Sequence, residues 1–228
     1  MDMILQLFVS VMVGALLWMD RVFVAQVMVS RPVVMGPVVS LASGNLETGL
    51  LVGASLELLW LNSPPVGAYL PEDESFCTAV AACVAAAASQ WMPMHEAAGL
   101  SIVCCLPCAV FGRVLDTWLR RRNEGLVRMA GPSGTVAVSR MVGTALVRAY
   151  SMAAASVALC VAVCGSAAYA ASLVLPRPIS SALTIVPFVC VVAGITGLVN
   201  QEKPVAGAVG LFGLGFACMV LIAYMSLI

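Results

Sequence analysis

The stretch that decides the fold runs from Asp20 to Asp73 and reads DRVFVAQVMVSRPVVMGPVVSLASGNLETGLLVGASLELLWLNSPPVGAYLPED. It places acids, amides and prolines in a chain of 228 residues that is 62% hydrophobic and 10% charged, with a mean hydropathy of +1.05. Globular proteins carry about 25% charged residues, so this composition predicts a polytopic membrane protein. Hydrocarbon tolerates acids and broken helices only where protein or a water-filled cavity surrounds them, and we therefore expect the stretch to line a site.

The whole chain, residues 1–228, is predicted to form a single all-α membrane domain. At about 20 residues per span, this length allows roughly six to eight hydrophobic segments. Segments 33–42 and 46–61 are joined by only Ser43, Gly44 and Asn45, and the first is too short to cross a bilayer. Prolines at positions 32, 37, 64 and 65 favour interrupted helices, because proline removes a backbone donor. We predict a re-entrant hairpin or broken helices here.

The charges are unevenly distributed along the chain. Seven of the eleven basic residues lie between positions 113 and 148, a region that also contains turn-forming residues at 131–134. Because cytoplasmic loops of membrane proteins are enriched in arginine and lysine, the pattern predicts a basic cytoplasmic loop region over 113–148. Eleven acidic residues balance the basic ones, so no net field attracts nucleic acid, and no nucleic-acid partner is expected.

The sequence contains none of the common motifs of catalysis or cofactor binding. It contains no P-loop, dinucleotide fingerprint, GxSxG or HExxH pattern, so neither a cofactor nor a metal is predicted. The nine cysteines lie almost entirely in apolar runs, where cysteine packs as a small hydrophobe. Recurrent glycines at 194, 197, 207, 210, 213 and 215 predict tight helix contacts, either within the chain or with another subunit of an oligomer.

The polar side chains of the 20–73 stretch are the candidates for binding a hydroxyl-bearing solute, because carboxylates and amides form paired hydrogen bonds when water is excluded. Glu57 is the strongest, since an ionised acid at membrane depth costs about 2.5 to 3.5 kcal/mol and must face a cavity or a partner. Glycine allows the backbone to approach a ligand closely. The predicted substrate-binding residues are Asp20, Gln26, Glu57, Asn62, Gly67, Ala68 and Asp73.

Several of these residues have a structural alternative. Glu57 could form an ion pair with Arg31, and Asp20 could lie at the lipid interface. Arg31 and Pro32 are predicted to be structural, with Arg31 in extended backbone before the proline and its side chain bonding free carbonyls of the broken segment. Trp60 is predicted to anchor the chain at the interface rather than to stack on a ligand.

Four motifs in the stretch carry a family resemblance. They are SRP at 30–32, Gly36 with Pro37, GNLETGLLVGASLELLWL at 44–61, and PVGAYLPED at 65–73. In order and spacing they resemble the IIC membrane component of the mannose/fructose/sorbose family of the bacterial sugar phosphotransferase system. The resemblance is specific over roughly residues 18–75. Glu57 matches the glutamate of the family's LEL motif, Asp73 the aspartate of its PxD motif, and Gly67 with Ala68 its GA motif.

The resemblance implies a sugar-translocating permease subunit in the bacterial cytoplasmic (inner) membrane. Such a subunit works with a second membrane component, IID, and with the soluble phosphocarriers IIA and IIB, which phosphorylate the hexose or derivative. The chain itself is then not an enzyme, in agreement with the lack of a histidine in the matching region. Two alternatives remain: an ion-coupled secondary transporter that uses Asp20, Glu57 and Asp73, and a membrane scaffold that stabilises a partner subunit.

Overall fold

The computed structural model of the chain describes residues 3–61, 70–129 and 135–201, and all regular secondary structure in these ranges is helical. The predicted all-α class is confirmed. A 3-10 turn at Leu183–Ile185 joins the last two helices. The helices are α1 (Met3–Met19), α2 (Pro32–Leu41), α3 (Leu46–Trp60), α4 (Glu74–Ala88), α5 (Met94–Met129), α6 (Thr135–Val174), α7 (Arg177–Ala182) and α8 (Val186–Gln201).

The apolar helices are of two lengths. Within the described ranges, three helical stretches are long and apolar enough to cross a membrane: Met94–Gly125, Val138–Val174 and Arg177–Gly197. The helices α2, α3 and α4 have 10, 15 and 15 residues. At about 1.5 Å per residue, none of these three spans a hydrocarbon core of about 30 Å. The prediction of short, interrupted helices is confirmed.

Helices α2 and α3 form a closely packed antiparallel hairpin. Asn45 begins α3 as its N-cap, and its side-chain oxygen accepts hydrogen bonds from Thr48 N at 3.4 Å and Thr48 Oγ1 at 2.7 Å. A Cβ atom on Gly53 would overlap the carbonyl oxygen of Pro32, and one on Gly36 would overlap that of Gly49. Because the two backbones touch at these glycines, the hairpin is a single rigid unit.

The prolines of the hairpin differ in their effects. Pro32 is the first residue of α2, and Arg31 before it is extended, with φ −65° and ψ 139°, as predicted. Pro37 lies inside α2 without ending it, so the expectation of an interruption at Pro37 is wrong. One missing N–H removes one backbone hydrogen bond, and the short helix continues beyond it. Pro64 and Pro65 lie outside the described residues.

Helix α4 forms the centre of the protein. It packs against α1, α2, α3, α5 and α6, and nearly all of its side chains are buried. Its sequence, ESFCTAVAACVAAAA, is apolar on every face and rich in small residues, which lets the surrounding helices approach closely. The thiols of Cys77 and Cys83 are buried in this packing, as the apolar setting of the cysteines predicted. Trp18 of α1 packs edge-on against Phe76 in the first turn of α4, and both side chains are buried.

The basic region is helical rather than a loop. Residues 113–129 belong to α5 and residues 135–148 to α6, so the prediction of a loop region over 113–148 is wrong in its secondary structure. An (i, i+4) pair between Asp116 and Arg120 supports the helix, as do strong helix formers such as leucine and arginine. The turn residues at 131–134 lie outside the described ranges, and a cytoplasmic location stays a prediction.

Candidate functional site

The segment between α1 and α2 folds around a buried carboxylate. Asp20, 5% exposed, accepts hydrogen bonds from Val27 N at 2.9 Å and from both the N and Oγ of Ser30 at 3.4 Å. Burial opposes the ionisation of Asp20, but these hydrogen bonds outweigh it, so the pKa of the carboxyl lies below its usual value. Asp20 therefore organises the segment, which we call the Asp20 loop (residues 20–31).

The Asp20 loop holds an unusual backbone conformation. Ala25, Gln26 and Met28 have positive φ angles of 54°, 57° and 68°. Non-glycine residues in this region of φ/ψ space are strained, and such strain is concentrated at functional sites. The apolar run 22–29 is consequently not a membrane helix but part of a tight turn that exposes Gln26.

A cavity of about 390 Å³ opens beside the Asp20 loop, and we call it the loop cavity. Its volume lies in the usual range of small-molecule sites, about 300 to 1,000 Å³. The wall combines charged and amide groups with an indole and a thioether, which suits a small polar solute with one apolar face. The described lining residues are Asp20, Arg21, Gln26, Met28, Ser30, Arg31, Trp60, Leu61, Pro71, Glu74 and Ser75.

Arg31 forms two ion pairs at the edge of this cavity. Its Nη2 lies 3.0 Å from Glu57 Oε1, and its Nη1 lies 3.4 Å from Glu74 Oε1. The second oxygen of Glu57 accepts a hydrogen bond from Val33 N at 3.4 Å, in the first turn of α2. The structural alternative for Glu57, a pair with Arg31, is thus present, and Glu57 lies behind Arg31 rather than among the described lining residues. Arg31 thus binds two carboxylates among the described residues, and its bonding of free carbonyls stays a prediction.

Asp73 is engaged by protein groups on both of its oxygens. It is 1% exposed and caps α4, with Phe76 N donating at 2.9 Å. Trp18 Nε1 donates to Oδ2 at 2.7 Å, and Arg21 Nη1 lies 2.5 Å from Oδ1. The N–H of Asp73 donates to the carbonyl of Ala109 in α5 at 2.9 Å. Asp73 therefore fixes Arg21, which does line the cavity, and ties α1, α4 and α5 together.

The acidic cluster 72–74 has no basic neighbour in the sequence, yet the fold supplies an arginine to each acid. Glu72 pairs with Arg113 at 3.6 Å, while Asp73 pairs with Arg21 and Glu74 with Arg31. Sequence reasoning missed Arg21, Glu74 and Trp18 as parts of the site. The available signal was that arginines inside or beside apolar segments need acidic partners.

The remaining predicted residues have different outcomes. Asp20 and Gln26 line the loop cavity, but the Asp20 oxygens are directed to the backbone. Trp60 also lines it, and its role as an interfacial anchor stays a prediction. The predicted ligands Asn62, Gly67 and Ala68 lie outside the described residues. The described chain leaves the cavity wall at Leu61 and returns to it at Pro71.

Comparison with known proteins places this architecture in a family. The sequence profile of the family EII-Sor, described as the sorbose-specific IIC component of the PTS system, matches residues 4–228. The chain belongs to this family.

Two relatives match over shorter segments. A protein of Escherichia coli (strain K12), provisionally named N-acetylgalactosamine permease IIC component 2, is 49% identical over 41 residues, which are 18% of this chain. The sorbose-specific EIIC component of the PTS system of Klebsiella pneumoniae is 30% identical over 90 residues, which are 40% of this chain. These matches span about a third of each relative, 31% and 32% of their lengths.

Two solved structures share the fold. One, described as a membrane protein, superimposes with a TM-score of 0.65 at 19% identity and covers 99% of this chain and 90% of its own. The other, a cryo-EM structure of the mannose transporter ManYZ in complex with microcin E492, gives a TM-score of 0.57 at 19% identity, over 96% of this chain and 85% of its own. The helical architecture is therefore that of a known membrane-protein fold.

Proposed function

We propose that the chain is the sugar-translocating IIC subunit of a phosphoenolpyruvate-dependent phosphotransferase system of the mannose/fructose/sorbose type, in the cytoplasmic membrane of a bacterium. Family membership over residues 4–228 supports the class. The observation that carries the proposal is the loop cavity, where the strained Asp20 loop, the hairpin end and the first turn of α4 bring polar groups around a space of sugar size.

Polar groups of the cavity wall are the direct ligands in this proposal. The Gln26 amide and the Glu74 carboxylate supply acceptors and donors for sugar hydroxyls, and Arg31 supplies further donors. Trp60 provides an apolar face on which a pyranose ring packs. Asn62, Gly67 and Ala68 remain proposed ligands, since they belong to the segment that joins Leu61 to Pro71.

The acids singled out from the sequence act through arginines. Glu57 holds Arg31, and Asp73 holds Arg21, so both are positioning residues for cations of the cavity wall. Asp20 also acts indirectly, because its carboxylate binds the backbone of the Asp20 loop and so holds Gln26 at the cavity.

Transport follows from movement of the hairpin as a unit. The pair Arg31–Glu57 lies within the α2–α3 unit and moves with it, whereas the pair Arg31–Glu74 joins the hairpin to α4. A rigid shift of the hairpin would break the second pair and open the cavity to the other side of the membrane, as broken-helix units do in alternating-access carriers. The partly exposed setting and longer distance of the Arg31–Glu74 pair make it weak enough to break.

Phosphorylation belongs to partner proteins in this proposal. The sequence has one histidine, His95, which is exposed near the start of α5. About 21 Å of helix separate His95 from Ala109, whose carbonyl accepts the hydrogen bond from Asp73 N beside the loop cavity. In this proposal His95 is therefore too far away to be a phosphocarrier for a sugar in that cavity. A IID membrane subunit and soluble IIA and IIB phosphocarriers complete the system, and the assembled membrane complex is an oligomer.

The test is uptake by membrane vesicles that contain the chain with its partner subunits, supplied with a panel of hexoses, amino sugars and ketoses. The proposal expects uptake that depends on phosphoenolpyruvate, yields sugar phosphate and persists with a proton uncoupler. Uptake of unmodified sugar that the uncoupler stops would instead establish an ion-coupled carrier.

A further inference from the structure

A second cavity lies on the outer face of α5, away from the loop cavity. It has a volume of about 510 Å³ and shares no described lining residue with the loop cavity. Five of its lining residues lie at i, i+1, i+4, i+5 and i+8 along α5 and so share one face of that helix. We call it the arginine groove, lined by Leu70, Arg113, Val114, Thr117, Trp118 and Arg121.

The arginine groove lies where α5 leaves the hydrocarbon. No charged residue occurs in the sequence between Glu96 and Arg113. Arg113 is 19 residues after Met94, the first residue of α5, which is about 28 Å of helix and nearly the thickness of a hydrocarbon core. Trp118 follows about one turn later, at the depth where tryptophan is enriched in membrane proteins. The groove is thus at headgroup level.

Within the described part of the chain, the charge of the groove is neutralised only weakly. Arg120, next to the groove, is matched by Asp116, with both carboxylate oxygens 3.1 Å from its Nε. Arg113 has only a partly exposed pair with Glu72 at 3.6 Å, a geometry that binds weakly. Arg121 is exposed and forms no ion pair with any residue in the described part of the chain.

An aromatic platform adjoins the two arginines. The guanidinium carbon of Arg122 lies 4.9 Å from the centre of the Trp118 ring, within cation–π range, which adds a third positive group beside the groove. Leu70, Val114 and the Trp118 ring supply apolar walls. The groove therefore combines guanidinium donors for an anion with apolar surface that continues towards the hydrocarbon.

We propose that the arginine groove binds the phosphate of an anionic phospholipid. Arg113 and Arg121 donate paired hydrogen bonds to the phosphate oxygens, for which the planar guanidinium is well shaped, and the apolar walls contact the glycerol and first methylenes. Basic pockets between membrane helices bind anionic headgroups in this way. A soluble phosphate ester offers the same oxygens but no apolar part, so the walls favour the lipid.

Native mass spectrometry of the full-length chain, purified with its partner membrane subunit, tests this assignment. With equimolar phosphatidylglycerol and phosphatidylcholine, we expect the wild type to retain the anionic lipid with roughly tenfold preference. Arg121→Gln, at an exposed position that leaves folding intact, should lose most of the preference, and Arg113→Gln combined with Arg121→Gln should lose all of it. Arg177→Gln, an exposed arginine just after α6, is the charge-matched control and should keep it.

Two further measurements distinguish binding of a lipid from binding of a soluble phosphate and from simple charge attraction. Arg121→Lys keeps the charge without the paired donors and should retain part of the preference. Glycerol phosphate at millimolar concentration should not displace the lipid. Displacement by glycerol phosphate, an unchanged preference in both groove variants, or an equal loss in Arg177→Gln would each overturn the assignment.

Discussion

Glu57 Oε1 lies 3.0 Å from Arg31 Nη2, so the acid inside the apolar α3 run is neutralised by the arginine just before α2. The same carboxylate accepts the N–H of Val33, which brings the two arms of the hairpin together at the end that faces the loop cavity. A half-buried acid that looked like a sugar ligand is thus the residue that sets the position of a cavity arginine.

The Glu57–Arg31 ion pair predicts how the loss of Glu57 affects sugar uptake. Glu57→Gln should lower sugar uptake at least tenfold, because Arg31, left only with its longer pair to Glu74, no longer keeps its position at the cavity wall. Membrane insertion should be unaffected, and the measurement is initial uptake rate normalised to inserted protein. Glu47→Gln removes an exposed acid from the same helix and should leave uptake unchanged.

A double-mutant cycle separates this positioning role from direct sugar contact. If Glu57 acts through Arg31, uptake in Arg31→Gln with Glu57→Gln should be no lower than in the worse single variant. Independent, multiplying losses would contradict the positioning role.

The hairpin glycines predict a steric effect. Gly53→Ala places a Cβ against the carbonyl of Pro32 and should destabilise the protein by about 1 to 3 kcal/mol, as overpacking does. Gly143→Ala, at a helical position with no atom within 4 Å of the added Cβ, should be neutral or slightly stabilising. Thermal unfolding in detergent compares the two, and equal midpoints would show that the hairpin backbones do not touch.

The buried carboxylate of Asp73 predicts a stability loss. Asp73→Asn keeps an acceptor for Phe76 N but leaves the charge of Arg21 without its partner, at a cost of roughly 3 kcal/mol. Trp18 fluorescence reports the change directly, because its Nε1 donates to the same carboxylate. Glu72→Gln, which removes a longer and more exposed pair, should cost less than about 1 kcal/mol. A larger effect from Glu72→Gln would reverse the assigned importance of the two acids.

Gln26 provides a test of direct binding. Its amide lines the loop cavity, and its one described side-chain hydrogen bond is an exposed contact of 3.3 Å to the Val22 carbonyl. Gln26→Asn, which tolerates the positive φ angle, should raise KM for the sugar about tenfold while leaving thermal stability unchanged. A lower stability with an unchanged KM would assign Gln26 to the loop rather than to the sugar.

Sequence reasoning singled out the stretch that lines the loop cavity, but not the contacts inside it. Unpaired charges and unsatisfied backbone groups are costly in hydrocarbon. This cost explains why the polar, proline-rich stretch and the short hairpin could be recognised, and why Glu57 was expected to have a partner. The pairing of Asp73 with Arg21, 52 positions earlier, depends on how α1 packs against α4, which no local pattern encodes.

Two features of the structure have physical causes that local patterns do not reveal. The basic segment 113–148 remains helical because (i, i+4) pairing and helix propensity persist beyond the apolar run. Trp60 lies at the loop cavity because α3 ends there, next to the Asp20 loop, although its position at a helix end is equally typical of an interfacial anchor.

Photolabelling tests the loop cavity as the sugar site most directly. A photoreactive analogue of a transported sugar is attached to the assembled membrane complex by light, and the modified peptides are identified by mass spectrometry. We expect the label on residues 20–31 or on Trp60, and we expect an excess of the unmodified sugar to prevent it. Protected labelling confined to α6 or α8, with residues 20–31 and Trp60 unmodified, would contradict this account.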